Sequence, residues 1–138
     1  MNKVFFIFTI VCLLGFSCQK EAFPEDFVIG QEENFHCGID YLSTDNTIKF
    51  SITEINDSRC PSDLKCFWAG KADVKIELES PVKATFVLST LDNGIYNSTD
   101  TVGNYSFQLI DVLPYPVSTE TIKLEDYIVK LKIEELVD

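Results

Sequence analysis

The side chains of this chain with the most reactive chemistry are its cysteines and its single histidine. Cysteines stand at positions 12, 18, 37, 60 and 66, and the histidine is His36. Thiolate and imidazole are preferred zinc ligands and also form nucleophile–base pairs. The spacing of Cys37, Cys60 and Cys66 around His36 is not that of a zinc site. His36 and Cys37 are neighbours in a predicted strand, so they point to opposite faces and cannot act on each other.

Acidic side chains are abundant but dispersed. The chain has 22 acidic and 11 basic residues, for a net charge of −11. Such a domain repels phosphate backbones, so we expect no nucleic-acid partner. A catalytic site needs a base beside a nucleophile or a convergent acid pair, and neither is evident. The spacing of four oxygen-bearing loop residues matches no calcium loop, and turn formation explains them: Asp92, Asn93, Asn97 and Asp100. The sequence therefore predicts no enzyme, no metal site and no cofactor.

The first residues have the pattern of an export signal. Lys3 precedes an apolar run from Val4 to Phe16, which is short for a membrane span. The run ends in Leu14-Gly15-Phe16-Ser17-Cys18, which resembles the relaxed lipobox of Bacteroidota lipoproteins. The resemblance implies a signal peptide over residues 1–17 and lipid on Cys18. It also implies a bacterial outer-membrane lipoprotein, on the periplasmic face or the cell surface.

A period of two in hydrophobicity dominates the rest of the chain. Residues 18–26 have no period and are predicted to be a lipidated tether, followed by one domain over residues 27–138. The period predicts about seven strands: 27–29, 35–39, 48–52, 72–78, 84–88, 105–109 and 127–133. It slips near Ile55 and again between Leu109 and Val112, which indicates bulges. We expect an all-β, antiparallel, immunoglobulin-like sandwich, with a small barrel as the alternative.

One connection between strong strands has distinctive content. It runs Asp57-Ser58-Arg59-Cys60-Pro61-Ser62-Asp63-Leu64-Lys65-Cys66-Phe67-Trp68-Ala69-Gly70. The span between Cys60 and Cys66 is long enough for the loop to fold back and close a disulfide. We expect Phe67 or Trp68 to cover the sulfurs and anchor the loop. Asp57 and Arg59 are expected to pair with each other or to bind loop carbonyls.

This stretch resembles a family of small exported bacterial lipoproteins that share Asp-Ser-Arg-Cys-Pro, four residues, Cys, one residue and Trp-Ala-Gly. The match is complete from Asp57 to Gly70. The resemblance implies an exported β-sandwich with a Cys60–Cys66 disulfide loop, and it implies no established activity. Cys37 is not part of the pattern. A buried free thiol is the leading interpretation for it, beside an intermolecular disulfide or exchange with the 60–66 bridge.

These observations predict a lipid-anchored envelope protein that acts as a non-enzymatic binding or structural module. The expected partners are the membrane, through Cys18, and an envelope protein or glycan. Tyr115, between two prolines, is either exposed or packed at the sandwich edge. A metal carrier and a small envelope enzyme are the alternatives. The candidate contact residues lie on the distinctive connection: Asp57, Arg59, Asp63, Lys65 and Trp68.

Overall fold

The computed structural model describes residues 24–137, which form nine strands and one turn of 3₁₀ helix. The strands are β1 (Glu25–Phe27), β2 (Glu32–His36), β3 (Asp40–Ser43), β4 (Lys49–Asp57), β5 (Ala72–Ser80), β6 (Ala84–Ser89), β7 (Thr99–Val102), β8 (Tyr105–Leu113) and β9 (Ile128–Glu135). The 3₁₀ helix is Leu124–Asp126. In this part of the chain, no helix has the length and apolar character needed to cross a bilayer.

The strands form two sheets, so the all-β prediction is confirmed. One sheet has the order β1-β3-β4-β5-β6 and the other β2-β9-β8-β7. The sheets do not close into a barrel, so the alternative fold is wrong. Every pairing is antiparallel except β1 with β3, which is parallel. The predicted strands 27–29 and 35–39 lie two to three residues further along the chain than β1 and β2, and β1 starts two residues before the predicted start of the domain.

Two strands went unpredicted because they are too short to show a period. Strands β3 and β7 have four residues each, and β7 is exposed along most of its length. A strand of this length is specified by the neighbour with which it pairs rather than by its own pattern. The pairing of β3 with β4 and of β7 with β8 therefore adds two strands to the seven that the period of hydrophobicity predicts.

Aromatic rings at the centre of the sandwich join the two sheets. Phe50 on β4 has its ring centroid 5.4 Å from that of Phe27, 5.2 Å from Phe35, 5.6 Å from Tyr41 and 6.1 Å from Phe107. Most of these contacts are edge-to-face, the arrangement that the ring quadrupole favours. Phe35 and Phe107 belong to the four-stranded sheet, so Phe50 packs across the interface between the sheets.

Both predicted bulges are present. The register of β4 against β5 shifts between Ile52 and Glu54, and that of β8 against β9 shifts between Leu109 and Asp111. Side chains alternate along a strand, so one extra residue exchanges the inward and outward sets beyond it. Val112 is fully buried for this reason, although Leu109 before the bulge is buried too.

The connections differ in length between the two ends of the sandwich. Residues 58–71, 90–98 and 114–127 connect strands at one end, which we name the long-loop end. Short turns at the other end connect β3 to β4, β5 to β6 and β7 to β8. Loops held on a rigid scaffold are where binding residues concentrate, so the long-loop end is the first place to look for a site.

Replacing Phe50 with Ala is expected to lower the free energy of unfolding by about 3–5 kcal/mol, because it removes a ring that fills the space between the sheets. Urea unfolding followed by circular dichroism measures the loss. Phe67→Ala is the matched control, since Phe67 is fully exposed, and it should change stability by no more than about 0.5 kcal/mol. Equal losses for the two variants would contradict this description of the core.

Candidate functional site

Asp57 and Arg59 lie inside the protein, at the point where β4 ends. Upstream of the bulge in β4, Phe50 and Ile52 point inward, whereas beyond it the inward positions are Asp57 and then Arg59. Their side chains are 4 % and 5 % exposed, and Arg59 Nη2 lies 2.6 Å from Asp57 Oδ2. The predicted ion pair is therefore present, and its burial keeps both residues from direct contact with a ligand.

Arg59, the only arginine of the chain, connects the two sheets. Its Nη1 donates to the carbonyl oxygen of Val112 (2.7 Å) and its Nη2 to that of Pro114 (3.1 Å). Its Nε donates to Asp57 Oδ1 at 2.9 Å. The guanidinium carbon lies 4.6 Å from the ring centroid of Tyr115. The planar group thus bonds to β4 on one side and to the end of β8 on the other.

The charge of Asp57 is balanced by a full set of donors. Its carboxylate accepts bonds from the Arg59 backbone N–H, Arg59 Nε, Arg59 Nη2 and the Tyr127 hydroxyl (3.2 Å). Burial alone would raise the pKa of Asp57, but the hydrogen bonds and charge of Arg59 outweigh burial and hold the pKa below its ordinary value. Burial and then the charge of Asp57 raise the pKa of Tyr127, so its hydroxyl stays protonated and donates.

Beyond Arg59 the chain forms the predicted disulfide loop. Cys60 and Cys66 are joined, with their Cα atoms 5.9 Å apart. In the chain-entropy model, closing so small a ring stabilises the fold by about 2–3 kcal/mol. The Cys60 N–H donates to the carbonyl oxygen of Ala69 (3.0 Å). Gly70 has φ +68°, and a Cβ there would lie 1.9 Å from the Ser58 carbonyl oxygen, so only glycine fits.

The tip of the disulfide loop is bonded to the connection between β8 and β9. The Ser62 N–H donates to the Pro116 carbonyl oxygen (2.9 Å). The Asp63 carboxylate accepts from the Ser118 N–H (2.9 Å) and from the Ser118 hydroxyl. Both bonds, and above all the bond from the Ser118 hydroxyl, lower the pKa of Asp63. The predicted contact residue Asp63 is thus exposed but already engaged within the protein.

The aromatic side chains of the loop do not cover the disulfide, so that expectation is wrong. Phe67 is 103 % exposed and Trp68 is 72 % exposed, with Leu64 at 52 % on the same loop. The Arg59 guanidinium instead contacts the Tyr115 ring and the end of β8. Full burial of such a side chain is worth about 1.5–3 kcal/mol, so their exposure forgoes considerable stability.

Of the remaining candidates, Tyr115 contacts this network through the Arg59 guanidinium, whereas the others lie apart from it. Lys65 is exposed and makes no salt bridge within residues 24–137. Tyr115 is 47 % exposed. Cys37 is a free, half-buried thiol rather than a fully buried one, and its Sγ lies 3.2 Å from the Ile52 carbonyl oxygen. Burial raises the pKa of Cys37. Cys18 lies outside the described residues.

The described residues offer no other built site. Between residues 24 and 137, no group of three or more His, Cys, Asp or Glu side chains is arranged to hold a metal ion. A depression of about 570 Å³, open to solvent, lies around the β5–β6 turn, at the end opposite the long loops. Its lining is Glu77, Leu78, Glu79, Lys83, Ala84 and Thr85.

Replacing Asp57 with Asn leaves the buried guanidinium without its counter-charge, so we expect a loss of about 3–5 kcal/mol at neutral pH. Since the folded-state pKa of Asp57 is lowered, the stability from the pair is fully present above the unfolded-state value, about 3.9. That stability is lost as the pH falls through the folded-state pKa. The stability difference between wild type and variant should therefore shrink as the pH is lowered from about 5 towards 2.

Urea unfolding at a series of pH values measures this difference. Asp26→Asn is the control, because Asp26 is exposed on β1 and has no side-chain partner among the described residues. Its effect should be small and constant over the same range. A gap between wild type and Asp57→Asn that stays constant or widens in acid would rule out a stabilising Asp57–Arg59 pair.

Comparison of the chain with protein-family models, with curated proteins and with solved structures found no match. The likeness of the Asp57–Gly70 stretch to exported lipoproteins remains a resemblance of motif.

Proposed function

We propose that this chain is an exported lipoprotein of the bacterial envelope, held by lipid on Cys18, whose sandwich is a binding module without catalytic activity. The observation that carries the binding role is the display of Leu64, Phe67 and Trp68 in solvent on a loop whose base is fixed. The export signal and lipobox pattern over residues 1–18 support the anchor.

The fixed base of the disulfide loop favours binding. A flexible loop loses conformational freedom when it binds, and a loop already ordered avoids most of that cost. Here the order comes from the disulfide, from Arg59 and from the bonds of Ser62 and Asp63 to the β8–β9 connection. A domain that needed this loop only for stability would gain by turning Phe67 and Trp68 inward, where burial is favourable.

The state of the buried ionisable groups supports a non-enzymatic role. Asp57 is neutralised by Arg59, and Tyr127 donates to the same carboxylate. Burial holds the Cys37 thiol in its protonated form, which is a poor nucleophile. The only histidine, His36, is at the end of β2 and has the Tyr41 hydroxyl bonded to its backbone rather than to its ring. Asp57, Tyr127 and the Cys37 thiol are thus engaged in structure, and no hydrogen bond joins the His36 ring to the Cys37 thiol.

Metabolic labelling with an alkyne fatty acid tests the anchor. The wild-type chain, produced in a host that processes Bacteroidota lipoproteins, should carry the label and partition with membranes. Cys18→Ser should lose both properties, because it removes the thiol that forms the thioether to the lipid. Cys12→Ser is the matched control, since Cys12 lies in the predicted signal peptide, and it should be labelled like wild type. Label on Cys18→Ser, or none on wild type, would contradict the proposed anchor.

A further inference from the structure

The long-loop end has an apolar centre beside an acidic segment. Leu64, Phe67 and Trp68 project from the disulfide loop. The tip of that loop is bonded to residues 116 and 118 of the β8–β9 connection. This connection carries exposed acids at Glu120, Glu125 and Asp126, against one base, Lys123.

Ion pairing inside the protein removes part of the local positive charge. Arg59 is paired with Asp57, and Lys71 with Asp73. Exposed acids still outnumber exposed bases on the long loops by five to two, within a chain of net charge −11. The acids are Asp63, Asp92, Glu120, Glu125 and Asp126, and the bases are Lys65 and Lys123. A partner that met this end would be favoured by basic groups around an apolar recess.

The acidic connection beside the tip is repelled by anionic headgroups. This charge favours a protein over the anchoring membrane as the occupant of this end.

We infer that the long-loop end binds a partner protein that receives Phe67 and Trp68 in an apolar recess lined at its rim by lysine or arginine. Tryptophan held on a rigid loop is a typical dominant contact of such interfaces. The inference rests on the proposed binding role and names the chemistry of the partner.

Photocrosslinking of the full-length chain in the cells that export it tests the inference. A benzophenone amino acid is placed at position 67, which leaves Trp68 in place, and at position 82 as the control. Val82 is 52 % exposed in the β5–β6 turn, at the end opposite the long loops. Position 67 should give one discrete adduct, at least tenfold stronger than any adduct from position 82. The captured protein, identified by mass spectrometry, should carry a basic surface.

Two variants examine the chemistry. Trp68→Ser should reduce the adduct from position 67 at least fivefold, and so should the double charge reversal Glu120→Lys with Glu125→Lys. All three side chains are exposed, so the fold is retained. Purified chain mixed with phosphatidylethanolamine–phosphatidylglycerol vesicles should show unchanged emission from Trp68, the only tryptophan.

Several results would overturn the inference: no adduct, equal adducts at both positions, an adduct with a second copy of the chain, or an adduct that charge reversal leaves unchanged. A blue shift of the Trp68 emission with vesicles would assign the surface to lipid instead. The fatty-acid label on Cys18 is read separately, so failure of the anchor is distinguishable from failure of this binding surface.

Discussion

A buried arginine determines how the long-loop end of this sandwich is built. Arg59 bonds to Asp57 at the end of β4 and to the carbonyl oxygens of Val112 and Pro114 at the end of β8, so one side chain joins the two sheets. A buried charge is costly unless its donors and its counter-charge are all satisfied, and here the contacts satisfy both. The bulge in β4 makes this arrangement accessible, because it turns Asp57 and Arg59 inward.

The exposed part of the disulfide loop depends on this fixed base. Arg59 and Gly70 hold the two ends of the loop against each other, and the Cys60–Cys66 bond limits the freedom of the residues between them. Phe67 and Trp68 project into solvent from the loop above this base. Arg59 thus connects the stability of the sandwich with the loop that carries the proposed binding surface.

The sequence predicts the architecture well because a long half-buried strand must alternate. Five of the seven marked strands, both bulges, the disulfide and the Asp57–Arg59 pair could be predicted from periodicity and from the motif, whereas the first two marked strands are displaced by two to three residues from β1 and β2. Strands β3 and β7 are too short to alternate visibly, and the parallel pairing of β1 depends on long-range neighbours. The exposure of Phe67 and Trp68 could not be predicted by hydrophobicity, which favours burial. The slip in the hydrophobic period near Ile55, followed by the only arginine of the chain, is the signal that could have predicted a buried charged pair, rather than an aromatic side chain, at this end of the sandwich.

The central claim is that Arg59 fixes the disulfide loop, and amide hydrogen exchange measured by NMR tests it most directly. The informative amides are those of Cys60 and Ser62, which donate to Ala69 and Pro116. In Arg59→Lys, which keeps the charge but loses the planar set of donors, exchange at these two amides should be at least tenfold faster than in wild type. The amides of Val74 and Ile76, in the centre of β5, should keep their protection. Unchanged exchange at Cys60 and Ser62 would contradict the account, because the loop would then be held without Arg59.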